Sequence, residues 1–165
     1  MRQGILSALV PPIFIFLAGL DVPGLAANPL DATVTLNTAT SLTVTEASVN
    51  FGTIAGFTSG IQTPIALHLN AKCNKKNGYA VTVKATGFTS ADGDASTFPL
   101  SDLEYSYDQG INYRAMTASD QNVRTATANT SGSGDNFTVP IRLNLLGSEA
   151  AGTYTTTIVF TIAAN

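Results

Sequence analysis

Apolar and polar residues alternate along most of the chain after residue 28. In the stretch 79–86, Tyr79, Val81, Val83 and Ala85 take every second position, and Thr or Lys stands at several of the positions between them. Because residues two apart point to the same side of a strand, this spacing predicts a strand with one buried and one exposed face. Similar alternation occurs in the stretches 31–36, 41–45, 64–71, 136–145 and 152–162.

Turn-forming residues separate these stretches at short intervals, as at Asn77-Gly78, Gln109-Gly110 and Ser131 to Gly134. After residue 28 there is no sustained helical period. Short strands at such spacing predict an all-β fold, an immunoglobulin-like antiparallel β-sandwich of about seven or eight strands. Pro140 interrupts one strand, and its missing N–H predicts an edge or a bulge there.

The chain closes on a strongly β-branched stretch, 152–165. Its alternation places four apolar side chains on one face, and we expect them to be buried across the centre of the core, each contributing roughly 1.5–3 kcal/mol. These residues are Tyr154, Ile158, Phe160 and Ile162.

The first 27 residues have a different composition. Arg2 supplies a positive charge, residues 5–20 are almost uninterruptedly apolar, and small residues gather before Ala26 and Ala27. This order predicts a secretory signal peptide over residues 1–27, cleaved near Ala26 or Ala27. An uncleaved anchor is the alternative, but the run is shorter than the roughly 20 apolar residues of a membrane span. Residues 28–165 are then one domain, with no membrane contact in the mature form.

Charge and cysteine content narrow the functional classes. Only 12% of the residues are charged and the net charge is −3, so there is no basic surface for nucleic acid. The single cysteine, Cys73, excludes an internal disulfide. We interpret it as a turn residue, with interchain pairing as the alternative.

Residues suited to catalysis are few. The one histidine, His68, lies on the face opposite Leu67 and Leu69, which predicts an exposed structural side chain. An acidic group formed by residues 92, 94, 102 and 104 fits no calcium-loop spacing and is interpreted as a solvated turn. We therefore predict no catalytic residue, no cofactor and no metal site, and we expect a protein that is not an enzyme.

The start of the mature chain alternates as its end does. Asp31 to Leu36 is followed, after four residues, by a second alternating stretch from Ser41. One interpretation is an ordinary first hairpin. The other is that residues 28–36 form an exchangeable donor strand whose Ala32, Val34 and Leu36 complete the sheet of another copy, since an open sheet edge recruits strands.

Two short motifs resemble secreted surface proteins. Residues 48–54 (SVNFGTI), preceded by the strand 42–45, resemble the opening of spore coat protein U-like domains, and residues 151–162 (AGTYTTTIVFTI) resemble their last strand. Major subunits of fimbriae built by the alternate chaperone–usher route have a similar ending. The resemblance implies an immunoglobulin-like sandwich at the cell surface. For the fimbrial members it implies a donated N-terminal strand, a periplasmic chaperone and an usher.

The chain also departs from these families. Coat protein U-like domains usually carry disulfides, which this sequence lacks. A weaker resemblance, through Gly78-Tyr79 and the Gly152-Thr153-Tyr154 strand, is to the WxL cell-wall-binding domain, but Tyr79 and Phe160 stand where its tryptophans would be.

Two functions follow as hypotheses. The first is a secreted, non-enzymatic pilus, fimbrial or coat subunit at the cell surface that self-associates into polymers by strand complementation. The second is a monomeric module that binds cell-wall glycan or a host ligand.

Overall fold

The computed structural model describes residues 34–165, so the predicted signal peptide and Ala32 lie outside the described residues. Leu36–Asn165 form one compact unit. This unit is all-β, as predicted. Its eleven strands are β1 (Thr40–Val44), β2 (Gly60–Ile61), β3 (Ile65–Cys73), β4 (Tyr79–Ala85), β5 (Thr89–Ser90), β6 (Leu103–Ser106), β7 (Tyr113–Ala115), β8 (Gln121–Ala126), β9 (Asp135–Leu145), β10 (Tyr154–Thr155) and β11 (Ile158–Ala164).

The strands form two main antiparallel sheets. The first has the order β1-β3-β9-β6-β7, with β2 paired to the end of β9, and the second has the order β11-β4-β8. A small two-stranded pair joins β10 to β5. Two 3₁₀ turns, Ala95–Thr97 and Leu100–Asp102, lead from β5 into β6. The architecture is an antiparallel β-sandwich.

The core lies between the central strands of the two sheets. In β4, Tyr79, Val81 and Val83 are fully buried, and in β9 so are Val139 and Ile141. In β4 these side chains alternate with half-buried ones, as the period-two prediction requires. β9 follows the same alternation except at Pro140, which is buried between Val139 and Ile141. The sandwich is therefore centred on β3, β4 and β9.

A polar link ties the two sheets together near the start of β4. The Tyr79 hydroxyl donates to Asp135 Oδ2 at 2.5 Å, and Arg124 Nη2 donates to the same oxygen at 2.8 Å. Burial, together with the Asp135 carboxylate, raises the pKa of Tyr79 to about 12. Tyr79 therefore stays a neutral donor, which keeps this buried polar group satisfied.

The turn between β3 and β4 requires glycine. Gly78 has a φ of +79°, and a Cβ added there would lie 2.1 Å from the Ala126 carbonyl oxygen. The Gly78 N–H closes the turn by donating to the Lys75 carbonyl at 2.9 Å. Asn77-Gly78 is thus a tight turn, as the sequence predicted.

Two sequence interpretations are corrected by the fold. Pro140 belongs to β9, a central strand and not an edge, but the pairing of β9 with β6 stops at Ile141, one residue away. Cys73 is not a turn residue. It is the last residue of β3, 3% exposed, and its thiol donates to the Gly78 carbonyl at 3.3 Å. A buried thiol is poorly placed for interchain pairing in the folded state.

Candidate functional site

Two strands at the same side of the sandwich, β1 and β11, are each paired along one edge only. Among the residues that the structure describes, β1 pairs with β3 alone and β11 pairs with β4 alone. The two strands belong to different sheets, and their Cα atoms approach within 8 Å. The sandwich is therefore open along the line between β1 and β11.

The hydrogen-bond pattern shows which backbone groups of β11 face this opening. The Thr86 N–H donates to the Thr157 carbonyl, and the Asn165 N–H donates to the Gly78 carbonyl, both at 3.0 Å. Odd-numbered residues of this stretch therefore bond to β4. Since the direction alternates along a strand, Ile158 and Phe160 direct their N–H and C=O groups to the open edge.

The edge of β1 follows the same rule. The Thr45 N–H donates to the His68 carbonyl at 2.9 Å, and the Asn74 N–H donates to the Ala39 carbonyl at 3.2 Å. The odd-numbered residues again bond to the neighbouring strand, so Leu42 and Val44 direct their backbone groups outward. On both edges, these outward backbone groups have no strand partner among the described residues.

The side chains of the same residues form an apolar groove between the sheets, which we call the edge groove. Its volume is about 610 Å³. The core residues Leu67 and Leu103 lie at its base, and half-buried apolar side chains form its walls. These wall residues are Leu42, Val44, Val49, Phe51, Phe88, Tyr154, Ile158 and Phe160.

An irregular segment, residues 46–51, closes one side of the edge groove. Glu46 fixes its start, because Glu46 Oε2 accepts from the His68 N–H at 2.7 Å and Glu46 Oε1 lies 2.6 Å from His68 Nδ1. These hydrogen bonds lower the pKa of Glu46 below its ordinary value. The Asn50 side chain accepts from the Gly52 N–H at 2.8 Å, which places Val49 and Phe51 against the core.

The other end of the edge groove is supported by an aromatic cluster. The rings of Phe88 and Phe98 have centroids 4.3 Å apart, and those of Phe98 and Tyr154 are 5.0 Å apart. The Tyr154 hydroxyl donates to the Ala150 carbonyl at 2.6 Å. Tyr154 is therefore held in place, with its hydroxyl satisfied.

The predicted core residues of the closing stretch need a correction. Tyr154, Ile158, Phe160 and Ile162 all pack against the core, but each is only half-buried. Tyr154 belongs to β10, whereas the other three belong to β11. They lie at the rim because β11 is an edge strand, and the centre is formed by β3, β4 and β9.

The described part of the predicted donor strand is exposed. Val34 is 81% and Leu36 is 84% exposed, and neither belongs to a strand. An ordinary first hairpin therefore does not include residues 34–36. Sequence reasoning missed Val49, Phe51 and Phe88 as groove residues, because none of them lies in a regularly alternating strand.

The outer face of the first sheet has a smaller, polar depression of about 330 Å³. His68 lies there, exposed as the sequence predicted, beside Asn70, Gln109 and Asn136. The Asn70 amide donates to Asn136 Oδ1 at 2.7 Å, so part of this polar surface is engaged internally.

The predicted acidic group is divided between surface and interior. Asp92 and Asp94 are exposed, whereas Asp102 is 5% exposed. Within residues 34–165, no set of three His, Cys, Asp or Glu side chains is arranged to hold a metal ion. The same part of the chain has no helix long and apolar enough to cross a bilayer.

Comparison with known proteins does not assign the chain to a family. No protein-family model matches the sequence, and a search of the curated proteins gives no match.

Proposed function

We propose that this protein is a non-enzymatic structural subunit of a surface assembly, a pilus, fimbria or coat, whose copies associate by β-strand complementation. The observation that supports this function is the edge groove. It combines outward backbone groups on β1 and β11 with half-buried apolar side chains and a base of core residues. An inserted strand would form hydrogen bonds with the outward backbone groups and would cover the apolar side chains.

The segment 28–36 has the pattern that such a strand needs. Its Ala32, Val34 and Leu36 alternate with Thr33 and Thr35. Small and medium apolar side chains on one face suit a groove that is about 610 Å³ in volume, and threonines suit the solvent side. The partner is then a second copy of this protein.

The proposed route to the assembly begins with export through the N-terminal leader. Before assembly, an open groove exposes apolar surface, which favours aggregation. A periplasmic chaperone that covers the groove and an usher that exchanges it for the donor strand would solve this problem. These partners are part of the proposal and follow from the fimbrial resemblance.

Deletion of residues 28–36 tests the proposed function. We expect the shortened protein to remain folded and to stop forming multimers, because the described residues of this segment, 34–36, are exposed and contribute nothing to the core. Sedimentation velocity and negative-stain microscopy measure the assembly, and circular dichroism measures the folding. A synthetic peptide of residues 28–36 should bind the shortened protein and raise its melting temperature.

A matched pair of single substitutions gives the control. Val34→Asp places a charge on the apolar face of the donor strand and should abolish multimers, since a buried unpaired charge is costly. Thr35→Asp places the same charge on the opposite face and should leave assembly within about twofold of the original. Equal effects of the two substitutions would contradict strand insertion.

The second candidate function is a monomeric module that binds glycan or another polar ligand. The observation in its favour is the polar depression around His68, Asn70 and Asn136. If the exported protein is monomeric with residues 28–36 intact, and Asn136→Ala abolishes binding to cell-wall glycan, this function replaces the first.

A further inference from the structure

Charge is distributed unevenly along the strand direction of the unit Leu36–Asn165. Lys72, Lys75 and Lys76 are all exposed where β3 turns into β4, and none forms an ion pair among the described residues. The nearby carboxylate of Asp135 is paired with Arg124 at 2.8 Å. We call this surface, defined by the three lysines, the lysine end.

Acidic residues are concentrated at the opposite end. β4 runs from Tyr79, beside the lysine end, to Ala85, and Asp92 and Asp94 follow after β5. Seven strand residues span roughly 20 Å, so these carboxylates are well separated from the lysines. Glu149 lies at the same end as Asp92, since residues 146–153 connect β9 to β10 there. We call the surface of Asp92, Asp94 and Glu149 the acidic end.

Hydrogen bonds keep these carboxylates charged and in place. Asp92 Oδ1 accepts from the Thr153 N–H at 2.7 Å, and Asp94 Oδ1 accepts from the Ser96 hydroxyl at 2.6 Å and from the Ser96 N–H at 3.0 Å. These contacts lower the pKa of the carboxyl that accepts them. Burial acts to raise the pKa of Glu149, but hydrogen bonds from backbone N–H groups outweigh it and lower the pKa overall.

The acidic end also exposes large apolar side chains. Phe57 is 95% and Leu146 is 69% exposed. The two are neighbours, because a Cβ added at Gly147 would lie 3.3 Å from the Phe57 carbonyl oxygen. Phe57 has a φ of +62°, an uncommon conformation for a bulky residue, and Glu149 accepts from the Leu146 and Gly147 N–H groups. This apolar surface is built into a fixed loop.

The lysine end is where the compact unit begins. The Ala39 N–H donates to Asn74 Oδ1 at 2.7 Å, and Asn74 Nδ2 donates to the Asn37 carbonyl at 2.7 Å. Leu36, 84% exposed, directly precedes this anchor. At the acidic end, Tyr154 pairs with Ser90, close to Asp92, and it lines the edge groove together with Phe51. A donor strand from one copy therefore leaves beside lysines and enters the next copy beside carboxylates.

We propose that copies of this protein dock end to end, with the lysine end of one copy against the acidic end of the next. This inference rests on the proposed function and adds the orientation and the electrostatic selectivity of the contact. Three positive charges then face three negative charges, and Phe57 and Leu146 of the acceptor meet the exposed Leu36 of the donor unit.

This orientation also sets the direction of the inserted strand. β11 runs from the acidic end to the lysine end, since Ala164 pairs with Tyr79. A donor strand that enters at the acidic end places residue 28 deepest, so it runs antiparallel to β11. Opposite charges on the two ends steer the correct encounter, and like ends repel.

Charge reversal at the lysine end tests the docking. The triple variant Lys72→Glu, Lys75→Glu, Lys76→Glu should slow assembly of the full exported protein about tenfold or more at low salt, measured by light scattering. The control triple variant, with arginine at the same three positions, should assemble at the original rate. In 1 M salt, where the Debye length is about 3 Å, the three proteins should assemble at similar rates.

A second charge reversal, at the acidic end, tests whether the loss of assembly can be compensated. Ala91 and Ser148 are exposed and lie beside the hydrogen-bonded carboxylates. Ala91→Lys with Ser148→Lys should slow assembly alone and restore most of the rate when combined with the glutamate triple variant. Restored assembly supports end-to-end docking, because a general loss of folding is not repaired by new charges.

The outcomes separate the two proposals. If the protein polymerises and deletion of residues 28–36 stops it, strand complementation stands, and unchanged rates in all charge variants overturn end-to-end docking alone. If the protein with residues 28–36 intact does not polymerise, both proposals are overturned.

Discussion

Asp102 is a buried carboxylate whose Oδ2 has no hydrogen-bond partner among the described residues. It ends the second 3₁₀ turn, just before β6. Burial raises the pKa of Asp102, and the carboxylates of Glu149 and Glu104 raise it further. At neutral pH this residue lowers the stability of the fold, because a buried charge without a partner is costly.

Replacement of Asp102 by asparagine should raise the unfolding free energy at neutral pH by on the order of 1 kcal/mol. The pKa of Asp102 is higher in the folded state than in the unfolded state. Between these two pKa values the native state therefore binds more protons than the unfolded state, and native Asp102 becomes less destabilising as the pH falls. The gain in unfolding free energy from Asp102→Asn should therefore be complete above the raised pKa and vanish below the ordinary aspartate pKa of 3.8.

Urea unfolding at a series of pH values measures this difference. Asp120→Asn, at an exposed site paired with Lys84, is the control and should change stability by less than about 0.5 kcal/mol. A stability gain at position 102 that is the same at every pH would contradict the role of the charge.

At the scale of the element, β11 has one edge that is paired with β4 and one edge that is unpaired. Its odd-numbered residues bond to β4, whereas Ile158 and Phe160 direct their backbone groups to the edge groove. The same even-numbered residues direct apolar side chains towards the core. One strand therefore stabilises the sandwich through one set of backbone groups, and the other set has no strand partner among the described residues.

Proline substitutions test the roles of the two edges of β11 separately. Ile158→Pro removes an outward N–H, so it should block assembly while its unfolding free energy stays within about 1 kcal/mol of that of Ile158→Ala. Val159→Pro removes an N–H that faces β4 and should destabilise the monomer by about 1–3 kcal/mol relative to Val159→Ala. Chemical denaturation and sedimentation velocity distinguish the two effects. Assembly by Ile158→Pro at the rate of Ile158→Ala would show that β11 is not the accepting edge.

At the scale of the whole molecule, the two termini have different roles. The unit Leu36–Asn165 contains the core, and its last strand forms one wall of the edge groove. Residues 34–36 are exposed and outside any strand. Stability therefore depends on the C-terminal end, whereas assembly, in the proposed function, depends on the N-terminal segment.

Truncation after Gly152 should leave the protein without a cooperative unfolding transition. The second sheet would retain β4 and β8 alone, and Tyr79, Val81 and Val83 would lose the neighbouring strand that protects them. A two-stranded sheet is marginal in water. Urea titration followed by circular dichroism tests this, with the deletion of residues 28–36 as the folded control. A cooperative transition in the C-terminal truncation would show that β11 is dispensable.

Alternation was sufficient to predict the inner faces of the central strands. Val81 and Val83 in β4 and Val139 and Ile141 in β9 are fully buried, because both strands have neighbours on each side and an opposing sheet. The same spacing in β11 led to an overestimate of burial for Ile158, Phe160 and Ile162. Period two indicates which side chains share a face, but not whether another strand covers them.

The edge groove was only partly predictable. Tyr154, Ile158 and Phe160 were grouped correctly on one face, but Val49 and Phe51 lie in an irregular segment with no periodic signal. Their position depends on Glu46 and Asn50, whose hydrogen bonds were not apparent from the sequence. The burial of Asp102 and Cys73 was also missed, because it depends on which elements pack together in the folded chain.

The sequence by itself determined the class of fold and the two faces of each main strand, because side-chain spacing and turn chemistry are local properties of the chain. The tertiary structure alone decided which strands lie at an edge. β9, for example, pairs with β3 and β6, which precede it by many residues, and β11 pairs with β4. Hydrogen-bond partners so distant in sequence leave no local pattern, so the edge groove and the separation of charge between the two ends appear only when the chain is folded.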